Sequence, residues 1–387
     1  MRRGLNKFSP SSLGLICRTG FCHFGCLKNR SKLNPLSSFV LISLAGKCMS
    51  PKVLLVVQLA VFSALAPHLV RAEKSDYVRP EISMPADNMS NPARIELGKN
   101  LFFDPRLSGS RWISCATCHN PALGWGDGLA TGIGHGMKNL LRSSPTVINT
   151  AYNKFQGWDG RARTLEEQAV GPIKAQGEMH RDMDDLVTEL QGIGGYITMF
   201  DQAYPGDGIT EITIGKALAA FERTLITEDA AFDRWVAGDE TAMSEAAKRG
   251  FELFEGKARC NICHSGFNFQ DDGFHNIGIA QDPPDAGRYN VRPVPVLIGA
   301  FKTPTLREIT RTAPYMHNGS YTTLMQVLDH YNRGGDVERN LSPNIEPLGL
   351  THREKLDIIA FMVALVSDQP LAVTIPNLPQ ISPEYTE

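Results

Sequence analysis

The chain has 387 residues, 39 Lys plus Arg against 41 Asp plus Glu, and a formal net charge of −2. That balance is misleading, because ten of the basic residues and no acidic ones fall in the first 72 positions. The remainder carries 29 basic against 41 acidic residues, a net −12, which excludes nucleic acid and anionic membranes as partners and fits a basic redox partner or solubility alone.

Residues 1–48 hold eight Lys or Arg, no acid, and Cys17, Cys22, Cys26 and Cys48. They are expected to be an over-extended start, the alternative being a basic organelle transit segment. A second beginning follows at Met49: Lys52, the apolar run Val53 to Ala66, and small residues ending at Ala72. This reads as a secretory signal over 49–72, cleaved after Ala72, and implies a periplasmic protein. A membrane anchor fits less well, since Gly46-Lys47 and Pro51-Lys52 interrupt the apolar stretch.

About 315 residues remain, enough for two domains. Asn91 as N-cap and Pro92 at the first helical position open an amphipathic helix that carries Gly98-Lys-Asn-Leu101-Phe102. Next comes Cys115-Ala-Thr-Cys118-His119. Cys-x-x-Cys-His is the attachment motif of c-type haem: two thiols add across the porphyrin vinyl groups, and the histidine ligates the iron. The Gly- and Pro-rich stretch 120–146 reads as loops over a haem face, and a helix is expected from Ile212 to Leu225. A boundary falls near Gly238, giving domains 73–238 and 239–387. The pattern then repeats. A helix opening at Ser244 carries Gly250-Phe-Glu-Leu253-Phe254, and Cys260-Asn-Ile-Cys263-His264 follows. A loop-rich stretch spans 271–305, and a closing helix runs from His352 to Val366 behind a Thr351/Glu354 capping box. No further Cys or Cys/His cluster completes a zinc site, so two covalently bound c-type haems are expected. The fold class is mainly α: two tandem cytochrome c-like domains with one haem each.

The sequence resembles the bacterial dihaem cytochrome c peroxidases and the related methylamine-utilisation protein MauG. The segments that carry this are Leu101-Phe-Phe-Asp-Pro-Arg-Leu-Ser108, Gly134-His-Gly136, Ser144-Pro-Thr-Val147, Trp158-Asp-Gly-Arg161, Phe221-Glu-Arg-Thr-Leu225, Pro304-Thr-Leu-Arg307 and Ala313-Pro-Tyr-Met-His-Asn-Gly319. They cover nearly the whole chain beyond the signal, in the family's order. The resemblance implies a peroxide site at the N-terminal haem, with Gln168, Pro172 and Glu178 in the distal pocket. Glu178 would take a proton from peroxide and return it to the departing oxygen. His135 matches a histidine that caps the iron in resting members, with a mobile Gly on each side; its alternative is a surface histidine. Trp158 matches an electron relay between the haems, a role compatible with ordinary packing. Thr312 and Pro314 match carbonyl donors to a calcium ion between the domains, although Ser143 replaces an Asn donor.

One departure bears on function. Fourteen residues after His317, where peroxidases fed by a small cytochrome have a methionine ligand, stands Tyr331, as in MauG-type members. A hard, anionic phenolate favours ferric iron where methionine favours ferrous. His330, Met325, His275 and Met316 are the fallback ligands. Ala258 replaces the tryptophan through which MauG draws electrons from its protein substrate. The reading placed first is therefore hydrogen peroxide reduction with a redox partner, a small cytochrome or a cupredoxin. Behind it stand MauG-like oxidation of a partner protein, and a non-enzymatic electron carrier. Family members are often homodimers.

Overall fold

In the computed structural model, which describes residues 74–380, helices begin where capping chemistry starts them. Asn91 Oδ1 accepts from the Arg94 N–H at 2.9 Å and opens α1 (Pro92–Phe103). Ser244 accepts from the Ala247 N–H and opens α8 (Glu245–Glu255). Thr351 and Glu354 exchange hydrogen bonds at the start of α10 (His352–Val363). Between them lie α2 (Cys115–Cys118), α3 (Leu165–Lys174), α4 (Met183–Gln191), α5 (Gly194–Ala203), α6 (Glu211–Glu222), α7 (Ala231–Val236) and α9 (Leu324–Arg333). The only sheet among the described residues pairs Phe274–His275 antiparallel with Phe301–Lys302. The signal segment and the first 48 residues lie outside the described residues, within which no helix is long and apolar enough to cross a membrane.

The duplication read from sequence recurs in three dimensions. In each half the helix before the Cys-x-x-Cys-His motif crosses the closing helix at a glycine. A Cβ on Gly98 would stand 1.9 Å from the Ala217 carbonyl oxygen of α6, and one on Gly250 the same distance from that of Asp357 on α10. Only a residue without a side chain lets the two backbones approach so closely. Both closing helices end three residues before the expected position. α6 stops at Glu222 because the N–H groups of Thr224 and Leu225 turn back onto Phe221 and Glu222, and α10 stops at Val363 with the same tightening of its last turn.

Three hydrophobic clusters lie inside one compact unit, the smallest made of Ala258, Leu324, Leu328, Leu350, Ile358 and Met362. The first gathers Leu97, Leu101, Phe102, Leu186, Phe200, Leu218 and Phe221. The second gathers Phe232, Trp235, Phe251, Phe254, Phe269 and Phe361. Each chain end crosses to the other half. Tyr77 stacks on Phe269 in the second core, while Leu371 and Val373 pack on the first, where the Trp125 indole N–H donates to the Leu371 carbonyl at 3.0 Å. These crossings tie the halves together beyond the single backbone connection between them.

Candidate haem sites and the peroxide pocket

The two Cys-x-x-Cys-His motifs are held by the same local device. α2 is a single turn, with the Thr117 hydroxyl accepting from the Ser114 N–H at 2.9 Å, so Cys115 and Cys118 share a face. His119 leaves the turn and its Nδ1 meets the Trp125 carbonyl at 3.3 Å. Cys260–Ile262 forms a matching 3-10 turn, and His264 Nδ1 meets the Phe269 carbonyl at 2.8 Å. Trp125 and Phe269 both adopt left-handed backbone, φ 60° and 48°, which bends each loop back beneath its histidine.

Burial pulls the pKa of His119 down and that of His264 down to about 4, so both rings are neutral. A neutral ring that donates from Nδ1 keeps the Nε2 lone pair for a metal. None of the four motif cysteines is engaged in a disulfide. Burial pushes the thiols of Cys115, Cys118 and Cys260 up, to about 11 for Cys118 and about 12 for Cys260. Paired thiols, a neutral imidazole and an apolar surround fit a haem at each motif.

Above the first motif, Glu178 lies just beyond α3. Pro172 within α3 cannot donate to the Gln168 carbonyl, and its own carbonyl accepts from the Met179 N–H at 3.1 Å, which anchors the Glu178 turn. Gln168 sits half-buried on α3. Burial raises the Glu178 pKa against the pull of Arg161 and Arg142, and the carboxylate in turn acts on Cys118. That puts the carboxylate within electrostatic range of the first motif. His135 joins it: its backbone N–H donates to the Glu178 carbonyl at 2.8 Å and the Gly177 carbonyl at 3.1 Å. Its ring packs on His180 with centroids 4.5 Å apart, and its buried Nδ1 has no partner. Gly134 serves close approach as much as mobility, since a Cβ there would stand 1.9 Å from the Gly177 carbonyl oxygen.

Tyr331, on α9, is half-buried beside the second motif. Burial raises its hydroxyl pKa, with further upward pressure from Cys260 and Cys263. Two fallback ligands have hydrogen-bond partners of their own. His330 has Nε2 on the Ile277 carbonyl at 2.8 Å and Nδ1 on Asp336 and Tyr321, both at 3.1 Å. His275 Nε2 meets Asp271 Oδ2 at 2.8 Å. With Cys263 these two form the one cluster among the described residues with metal-holding spacing; it shares its cysteine with the second haem motif and belongs to that site.

Between the sites runs a cavity lined by Trp158, Ser143, Lys302, Thr312, Pro314 and Met316. The Trp158 indole N–H donates to the Ser143 carbonyl at 2.9 Å, and the Ser143 N–H to the His317 carbonyl at 2.8 Å.

The comparisons with known proteins match this geometry. The family described as "Di-haem cytochrome c peroxidase" matches residues 92–241. A methylamine utilization protein MauG from Methylorubrum extorquens is 45% identical over 80% of this chain and 88% of its own. The chain belongs to the di-haem cytochrome c peroxidase family. A cytochrome c551 peroxidase of Nitrosomonas europaea is 37% identical over 72% of this chain and 82% of its own. Among solved structures, a MauG-like protein associated with microbial copper homeostasis superposes with a TM-score of 0.72 at 29% identity, over 78% of this chain and 97% of that one. The di-haem peroxidase described here is thus an oxidoreductase acting on peroxide.

Sequence reasoning missed a bridge across the halves of this di-haem peroxidase. Arg142 binds Asp159 at 2.8 Å and grips Asp285 through two nitrogens at 2.6 and 3.0 Å. Asp159 also holds Arg161. The only signal was the place of Asp159 inside the Trp-Asp-Gly-Arg segment.

Proposed function

We propose that hydrogen peroxide is reduced to water at the N-terminal site, with electrons or oxidising equivalents shared with the C-terminal site. A haem bound through Cys115, Cys118 and His119 would supply the redox chemistry that cleaves the O–O bond. Glu178 takes a proton from one peroxide oxygen and returns it to the other, so water leaves as the bond breaks. Two protons and two electrons in all give two waters. Gln168 offers a hydrogen-bonding amide from α3, and the Pro172 carbonyl keeps the Glu178 turn in place. His135 is the gate over the pocket.

The observation that carries this reading is the Glu178 carboxylate. It is half-buried, raised in pKa by that burial, and tied through its backbone to His135. A second haem would be held covalently by Cys260 and Cys263, and His264 and Tyr331 would supply its iron ligands. Trp158 would relay electrons through the cavity between the sites. Carbonyls of Thr312 and Pro314 would hold calcium there. We place the protein in the periplasm, with a redox partner (a small cytochrome or cupredoxin) or a protein substrate, and with homodimerisation open to it.

Tyr331 favours a second reading, the MauG-like oxidation of a partner protein, because a buried phenol beside the second motif suits an oxidised metal. Ala258, itself buried, offers no aromatic relay toward such a substrate, and this keeps peroxide reduction first. The test is Glu178→Gln in the holoprotein. Peroxide turnover is expected to fall about a hundredfold or more while both haem absorption bands persist; unchanged turnover overturns the assignment.

A further inference from the structure

Most cations of this acidic chain are neutralised by a carboxylate. Arg163, Arg288 and Arg292 are not: none forms an ion pair among the described residues, and all three sit on one face. The Arg288 guanidinium lies over the rings of Phe274 (4.2 Å to the centroid) and Phe155 (5.2 Å), and Arg163 lies over Phe155 as well (5.9 Å). Burial draws the Arg288 pKa down, Asp159 opposes it, and Arg163 and Arg292 add repulsion, so both of these charges lie within electrostatic range of Arg288.

The same face carries an exposed apolar loop. Every residue from Asn290 to Val296 is exposed, Val296 at 70% and Val291 at 40%. The loop is nonetheless ordered at its neck, where the Arg288 N–H donates to the Ala300 carbonyl at 2.7 Å and the Gly299 N–H to Ala286 at 2.9 Å. Pro293 and Pro295 restrict its tip. Its base reaches the relay: Arg288 Nη1 donates to the carbonyls of Asp159 and Gly160 at 2.8 and 2.6 Å, directly after Trp158.

We infer that loop 290–296, with Arg163, Arg288 and Arg292, is the docking surface for a protein partner that presents carboxylates around an apolar centre. The inference gives the partner of the proposed function a chemical class and rests on that reading only for the electron transfer that follows docking. Apolar residues inside a rim of arginines and aromatic rings are the composition of energetically important interface positions. A loop already ordered by prolines loses little entropy on binding. The net charge favours a basic partner, but at physiological ionic strength fields are screened beyond about 8 Å. Docking is therefore decided by the local patch, which selects the opposite sign.

Succinylated cytochrome c and its native form serve as probes, alike in fold and opposite in surface charge. Binding to the holoprotein is measured at 0.15 M salt by calorimetry. The double substitution Arg163→Glu/Arg292→Glu is expected to weaken the succinylated probe at least about tenfold. It should not weaken the native probe. Val296→Asp, which leaves the arginines alone, should also weaken the succinylated probe. The inference is overturned if the unsubstituted protein fails to bind the succinylated probe, if the double variant binds it within twofold of the unsubstituted protein, or if both probes weaken equally. Peroxide turnover of the unsubstituted holoprotein with a small-molecule donor reports separately on the proposed function.

Discussion

The backbone N–H of His135 donates to the carbonyl oxygen of Glu178 at 2.8 Å, so the proposed gate and the proposed acid–base group share one latch. Because Gly134 lies against the Gly177 carbonyl on the other side of that latch, a movement of either loop must displace both residues.

Gly134→Ala is therefore expected to separate the two loops. A Cβ at 1.9 Å from a carbonyl oxygen forces the backbone apart, there being no side chain that could yield instead. The ferric electron paramagnetic resonance spectrum of the holoprotein should show a larger high-spin fraction, as His135 loses its hold over the first site, and peroxide turnover should fall about tenfold or more from misplaced Glu178. A spectrum identical to that of the unsubstituted protein would show that the latch does not position His135.

Tyr331 carries a separate expectation. His330 has both ring nitrogens hydrogen-bonded and His275 Nε2 is held by Asp271, whereas Tyr331 lies half-buried close enough to Cys260 and Cys263 for them to act on its hydroxyl. Replacing a hard phenol by a soft thioether stabilises the ferrous state. Tyr331→Met should raise one of the two midpoint potentials in a redox titration by on the order of 100 mV or more, leaving the other in place. Two unmoved potentials would remove Tyr331 from the ligand set.

Much of this arrangement was legible because it is local. The Gly-x-x-Leu-Phe repeat, the Asn91, Ser244 and Thr351 caps and the Cys-x-x-Cys-His runs are short-range signals, and each appears in the structure at its expected position. α4 was overlooked although Asp182 caps it and Met183, Leu186 and Leu190 mark its buried face. The Arg142–Asp285 pair joins residues 143 apart, and no local pattern specifies such a partner. The left-handed Trp125 and Phe269 were equally hidden, since bulky residues rarely adopt that backbone and do so here only because the loop must return beneath a histidine.

The two helix crossings give a stability prediction with an internal control. Gly98→Ala and Gly250→Ala should each destabilise the holoprotein by about 1–3 kcal/mol, because the added methyl meets a helix carbonyl rather than a flexible side chain. Gly136→Ala has open space around it but a left-handed φ of 68°, so its smaller cost, about 1 kcal/mol, comes from backbone conformation alone. Urea midpoints rank the three; equal midpoints for Gly98→Ala and the unsubstituted protein would mean that the helices shift apart freely.

Glu222 supplies a pH dependence whose sign can be worked out. It lies fully within the first core region on α6, and burial raises its pKa to about 8, against the pull of neighbouring Arg223. The unfolded chain releases this proton near the ordinary glutamate value of about 4.3, the folded protein only near 8. Its favourable contribution is thus fully present below the unfolded pKa and is lost as pH rises through the folded one, because the native state must then hold an ionised carboxylate without water. Glu222→Gln keeps the shape and removes the ionisation. The gap between the thermal midpoints of variant and unsubstituted protein should be smallest at pH 4 and should widen as pH rises towards 8, the variant melting several degrees higher at pH 9. Parallel midpoints across the whole range would mean that Glu222 ionises in the native protein with a partner that compensates for its burial.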